Sequence, residues 1–144
     1  MDNLTIDTGV KSLTINGDPT RVITFNPSDV NFAERFYSIM GSLKKKQEEY
    51  QRRSKELETD KVDESGVPVN LPGNLALMRD ACEFMRGQVD DLFGPGTSQT
   101  VFGDALALDM FAQFFTAITP HIQSTRAEKM KNYLNSEFSG KVMK

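Results

Sequence analysis

Met78-Arg79-Asp80-Ala81-Cys82-Glu83-Phe84-Met85-Arg86-Gly87-Gln88-Val89-Asp90-Asp91-Leu92-Phe93 decides the fold. Met78, Cys82, Met85, Val89 and Leu92 recur at alternating steps of four and three, which is one face of an α-helix. Leu75, Ala81 and Phe84 widen that stripe. Asn74 is the expected cap and Gly94 the expected stop. Gly94-Pro95-Gly96-Thr97-Ser98-Gln99 then leads to a short helix, capped by Thr97 and ending near Gly103. A further helical region opens at Leu108 or Asp109 and carries Phe111, Phe114, Phe115 and Ile118. Pro120 leaves two readings open there: a new helix with Thr119 as cap and Pro120 at its first position, or one helix kinked at Pro120.

Working outward, residues 1–25 favour strands. Leu13, Ile15, Val22, Ile23 and Phe25 flank Asn16-Gly17, a strong two-residue turn signal. The expected hairpin pairs Ser12–Ile15 with Arg21–Phe25. A lone hairpin is marginal in water, so it must dock on the helices or on another subunit. Asn26-Pro27 ends the second strand. A long helix is expected from Asn31, with Glu34 completing a capping box. Phe36, Leu43, Tyr50 and Leu57 recur every seven residues, but beyond Leu43 only one apolar position per heptad survives. Lys44, Lys45, Lys46, Arg52, Arg53 and Lys55 alternate there with Glu48, Glu49, Glu56 and Glu58. That half reads as a solvated helix projecting from the body, or as one face of a coiled-coil contact. Thr59–Asn74 is a loop by its Pro, Gly and Asn content.

The expected fold class is therefore mainly α: a small domain of three to four helices with an N-terminal β-hairpin. The expected organisation is a hairpin or arm at 1–25, a helical domain at 26–135 and a flexible tail at 136–144. A chain of 144 residues can bury a real core in one domain. Its net charge of −3 argues against strong nucleic-acid binding, which calls for a basic domain. A single cysteine excludes an internal disulfide, and no apolar run is long enough to span a bilayer. The start lacks the basic and apolar parts of a signal peptide, so the expected location is cytoplasmic.

Candidates for chemistry are few. His121 is the lone histidine and sits at a helix start, which suits a partly exposed polar residue. Cys82 lies on the apolar stripe, where cysteine acts as a small hydrophobe. Gly94-Pro95-Gly96-Thr97-Ser98 lacks the lysine of a phosphate-binding loop. Asp90, Asp91, Asp104 and Asp109 form no pattern of a paired-carboxylate or metal site. The expectation is a non-enzymatic protein with no catalytic residue, cofactor or metal. Phe111, Phe114, Phe115 and Ile118 on one helix read first as core, but ten Phe and seven Met are many for a body of about three helices, and those left unburied would form a surface that recognises another protein. The expected partner-binding residues are Phe111, Phe114, Phe115 and Ile118, facing Met78 and Met85. Phe114 lies off the Phe111–Phe115–Ile118 line and is the expected exposed member.

Several phrases of the chain resemble a family of phage tail assembly chaperones, of a phage or prophage. They are Phe25-Asn26-Pro27 leading into Phe32-Ala33-Glu34-Arg35-Phe36-Tyr37, Cys82-Glu83-Phe84-Met85-Arg86, Gly96-Thr97-Ser98-Gln99, and Asp109-Met110-Phe111 with Thr119-Pro120-His121-Ile122. The resemblance spans roughly residues 22 to 134. It implies a chaperone that holds the tape measure protein during tail building, helps recruit tail tube subunits and is absent from the finished particle. It further implies a location in the host cytoplasm and in many cases a frameshifted longer form. Self-association into a homo-oligomer is expected from the residues themselves, through the N-terminal hairpin or the first helix, since neither can bury its apolar side fully alone. It assigns no residue-level binding site. The alternative is a permanent structural component of a phage tail or connector.

Overall fold

The computed structural model describes residues 1–123. These form a mainly helical protein with four helices and an N-terminal two-stranded antiparallel hairpin, as expected. The order is β1 (Lys11–Ile15), β2 (Asp18–Phe25), α1 (Val30–Glu56), α2 (Leu71–Phe93), α3 (Thr97–Phe102) and α4 (residues 108–123). The tail expected at 136–144 lies outside the described residues.

Asn16 and Gly17 both take positive φ, 54° and 74°, which the tight turn between β1 and β2 requires. The ladder runs from Lys11 opposite Phe25 to Thr14 opposite Val22, then breaks its register before Ile15 pairs with Asp18. At the break, the Asp18 carboxylate accepts hydrogen bonds from the Thr20 amide and hydroxyl, which hold its pKa below the ordinary value. Ile23 and Phe25 are buried against the helices, so the hairpin docks on its own chain. Arg21 fixes it there, donating to the carbonyls of Thr100 (2.9 Å) and Val101 (2.7 Å) at the end of α3. Those carbonyls sit where a short helix leaves acceptors unsatisfied.

Helix α1 starts one residue before the expected position. Asp29, not Asn31, is its cap, accepting from the Asn31 amide at 2.9 Å. Helix α2 starts earlier than Asn74: Asn70 is its cap residue and Pro72 lies in its first turn, where a missing N–H costs nothing. Gly94 ends α2 as expected, with φ 114°. The intervening residues are closed by a Val62–Pro68 bridge, with the Asp63 carboxylate accepting from the amides of Ser65 and Val67.

Helix α3 begins at Thr97 and ends at Gly103, but Thr97 does not cap it. The Thr97 hydroxyl donates back to the Gly94 carbonyl at 2.8 Å. The capping oxygens come from α2: Asp90 accepts from the Ser98 amide at 2.7 Å and from the Ser98 hydroxyl at 2.9 Å. Arg86, one turn before, donates to the carbonyls of Gly103 (2.7 Å) and Ala105 (3.3 Å) and to the Gln99 side chain (3.0 Å). The two ends of α3 are thus tied to a single face of α2.

Of the two readings at Pro120, the continuous helix holds, since α4 runs through it. The Thr119 hydroxyl turns back to the Phe115 carbonyl at 2.6 Å instead of capping a new helix. Ile118 and Ile122, one turn apart across the proline, are both buried. The core itself is a chain of rings crossing every layer. Phe25 and Phe32 meet at 5.6 Å, Phe32 and Phe93 at 5.6 Å, Phe93 and Phe114 at 5.5 Å, and Phe102 and Phe111 at 4.3 Å.

Candidate functional site: the trough between α1 and α2

Helices α1 and α2 form an antiparallel pair. At the far end the Asn70 side chain donates to the Leu57 carbonyl at 2.9 Å, and a Cβ at Gly73 would meet the Leu57 side chain at 2.8 Å. At the near end Phe32 and Phe36 pack in the core with Cys82, Val89 and Leu92. The charged half of α1 therefore runs alongside α2 and does not project free of the body. Its heptad stripe faces α2 of the same molecule, because Leu43 and Tyr50 lie on the continuation of the stripe already buried at Phe36.

Between those two closures the helices do not fill the space between them. A trough of about 520 Å³ remains open to solvent. Leu43, Gln47, Tyr50 and Gln51 of α1 form one wall, and Leu77, Met78, Ala81, Phe84 and Met85 of α2 form the other. Leu108 and Ala112 at the start of α4 complete it. The gap follows from residue size. Ala81 and Ala112 are too small to meet α1, and α1 offers Gln47, Gln51 and Ser54 where a packed seam would carry Leu or Ile.

Charges lie only along the rim. Lys46 sits over the Phe84 ring, its Nζ 5.3 Å from the centroid, and pairs with Glu49 at 3.2 Å. Arg53 pairs with Asp80 across the helices at 3.0 Å. Burial pushes the Tyr50 hydroxyl above its ordinary pKa; Glu49 and Asp80 add to the shift, and Lys46 and Arg53 oppose it. The result is a mainly apolar slot, with Lys46 and the polar Gln47, Gln51 and Ser54 on its α1 side and one phenol in its wall.

The expected partner-binding residues divide between core and trough. Met78, 47% exposed, and the half-buried Met85 line the trough. Phe111, Phe114, Phe115 and Ile118 are buried, and Phe114, the expected exposed member, is only 8% exposed. Phe114 touches Phe93, Phe102 and Phe115 at ring separations of 5.5–5.6 Å. Position 114 is three residues after Phe111 and four before Ile118, so it lies on the same apolar face as they do, and a single covered face is enough to bury it. Phe93 of α2 and Phe102 of α3 cover that face. The face of α4 that reaches the trough is the Leu108–Ala112 edge, one step round the helix.

The remaining candidates are Cys82 and His121. Cys82 is fully buried, and burial, followed by the nearby Glu83 carboxylate, pushes its thiol pKa up, the reverse of an activated nucleophile. His121 is half-buried on α4. Among the described residues no group of three or more His, Cys, Asp or Glu side chains is placed to hold a metal ion, and no helix is long and apolar enough to cross a membrane.

No curated protein and no solved structure matches the chain. Residues 20–141 match a family described as a family of unknown function, DUF6673. The matched stretch takes in β2, the trough helices and the ring core, and on that span the chain belongs to the DUF6673 family.

Proposed function

We propose that this protein is a non-enzymatic phage tail assembly chaperone, acting in the host cytoplasm, whose α1–α2 trough holds an apolar helical segment of the tape measure protein. The observation that carries the reading is the open apolar trough of about 520 Å³ in the middle of an otherwise closed helix pair. Three turns of helix fill a cylinder of about 1,300 Å³, so the slot takes one stripe of side chains and not a whole helix. An amphipathic helix laying its i, i+3, i+4, i+7 residues along a groove fits that geometry. Met78 and Met85 suit it further, since flexible thioether side chains re-pack around varied apolar partners. A tape measure is a long helical chain with exposed apolar stripes before assembly, and reversible shielding of that kind keeps it soluble. The phage assignment rests on the resemblance in Phe32–Tyr37, Cys82–Arg86 and Gly96–Gln99, and recruitment of tail tube subunits is part of the same proposal.

The test is co-expression of the tagged chain with the tape measure protein of the same phage or prophage. Wild type is expected to co-purify with the tape measure and keep it soluble. Met78→Asp combined with Leu108→Asp is expected to lose it while retaining the wild-type circular dichroism spectrum. Undiminished capture by that folded double variant would remove the trough from the interaction. Stoichiometric copies of this chain in purified virions would replace the chaperone reading with that of a permanent tail component.

A further inference from the structure

Residues 1–10 lead into β1 as an exposed arm, with Leu4 88% and Ile6 74% accessible. Its apolar residues alternate with Asn3, Thr5 and Asp7, the period of a strand that covers an apolar surface on one side. The base of the arm is pinned. Asn26 donates to the Thr8 carbonyl at 2.8 Å, the Gly9 amide donates to Asp7 at 3.0 Å, and a Cβ at Gly9 would meet the Ser28 hydroxyl at 2.5 Å. The arm therefore leaves from the end of the hairpin opposite the Asn16-Gly17 turn. Folding back on its own β1 would break those contacts.

A matching acceptor exists elsewhere on the surface. The sheet has two strands; β2 makes the closer contacts with α2 and α3, while Leu13 and Ile15 of β1 pack partly buried against the core. Among the described residues, no backbone hydrogen bond is made to the outer edge of β1. Beside that edge lies a second trough, of about 340 Å³, walled by Ile15, Phe102, Met110, Phe114 and Ala117. A strand added to β1 would point alternate residues to the side that Leu13 and Ile15 already occupy, towards this trough.

We propose that residues 1–7 of one copy add as a third strand to the β1 edge of a second copy, reciprocally, with Leu4 and Ile6 turned towards the Ile15–Met110 trough. Area decides for reciprocity. Seven extended residues expose about 1,200 Å², and laying them on an edge removes roughly half of that. With a similar loss on the receiving face, one arm buries about 1,200 Å², short of the roughly 1,600 Å² of a standard stable interface. Two exchanged arms bury about 2,400 Å² and close a twofold dimer in which both β1 edges are paired. The inference is independent of what occupies the α1–α2 trough.

Sedimentation of the full chain at about 50 µM, a concentration at which weak interfaces show, is expected to give twice the monomer mass. Removal of residues 1–7, or Leu4→Asp with Ile6→Asp, is expected to give the monomer mass with unchanged helical content. Both changes touch only exposed residues. A monomeric full chain, or a dimer that survives loss of the arm, overturns the proposal. The docking place is read by oxidising a mixture of Thr5→Cys chains and Thr14→Cys chains, since the buried Cys82 stays out of reaction. A disulfide between the two is expected. Its absence, or a link instead from Thr5→Cys to Gln51→Cys in the helix trough, overturns the β1 assignment.

Discussion

Replacing Phe114 separates core from binding surface. Its ring stands among Phe93, Phe102 and Phe115 and is 8% exposed. Truncation to alanine removes the ring's burial and leaves a cavity that rigid α2, α3 and α4 close only in part, at a cost of about 3–5 kcal/mol. Part of that is the edge-to-face contact with three rings, each worth about 0.5–1.5 kcal/mol. For a chain of this size the loss lowers the melting temperature by roughly 10–20 °C. Phe114→Asp adds an unpaired carboxylate in an apolar site, a further cost of several kcal/mol. The sum approaches the whole stability of a typical domain, about 5–15 kcal/mol, so this variant is expected to be largely unfolded at 25 °C. Met78→Asp, on the lip of the α1–α2 trough, is expected to stay within about 0.5 kcal/mol of wild type. Thermal melts and urea titrations followed by far-ultraviolet circular dichroism read all three. A Phe114→Asp chain melting within a few degrees of wild type would refute the placement of this residue in the core, and with it the packing of α4 on α2 and α3.

Asp90→Asn is expected to cost about 1–2 kcal/mol in urea unfolding, because the charged cap on Ser98 becomes a neutral one; a change below about 0.3 kcal/mol would refute the capping role. Gly41→Ala and Gly87→Ala lie on exposed helical positions with open space around the added Cβ. Each is expected to raise stability by about 0.5–1 kcal/mol, and a destabilised Gly87→Ala would show that this face of α2 is covered. The Cys82 thiol, with its pKa raised in the folded chain, favours folding fully below the unfolded thiol value of about 8.5, and that contribution is lost as pH rises through the higher folded value. A thiol reagent at pH 8 is accordingly expected to label Cys82 only as fast as the chain unfolds, and complete labelling of the native protein within minutes would contradict its burial.

What the sequence determined by itself was local. The four-three spacing of Met78 to Leu92 set a helix, Asn16-Gly17 set a two-residue turn between strands, and Gly94 and Gly103 set stops, because each depends on backbone conformation within a few residues. The repeat Phe36–Leu43–Tyr50–Leu57 likewise marked the face of α1 that meets α2. The tertiary structure decided what covered each face. Phe114 lies on the apolar face of α4 by its three-four spacing to Phe111 and Ile118, and the fold decided only that Phe93 of α2 and Phe102 of α3 cover it. Thr97 yields the capping of α3 to Asp90, eight positions before Ser98, because α2 brings a charged acceptor to the helix start. The α1–α2 trough depends on the same kind of fact. Ala81 and Ala112 are unremarkable in the sequence, and they leave a gap only because the fold sets them opposite Gln47 and Gln51, residues far away along the chain whose side chains do not close it. Periodicity records which side of a helix is apolar; the volume between two helices depends on pairs of residues that the chain does not place together until it folds.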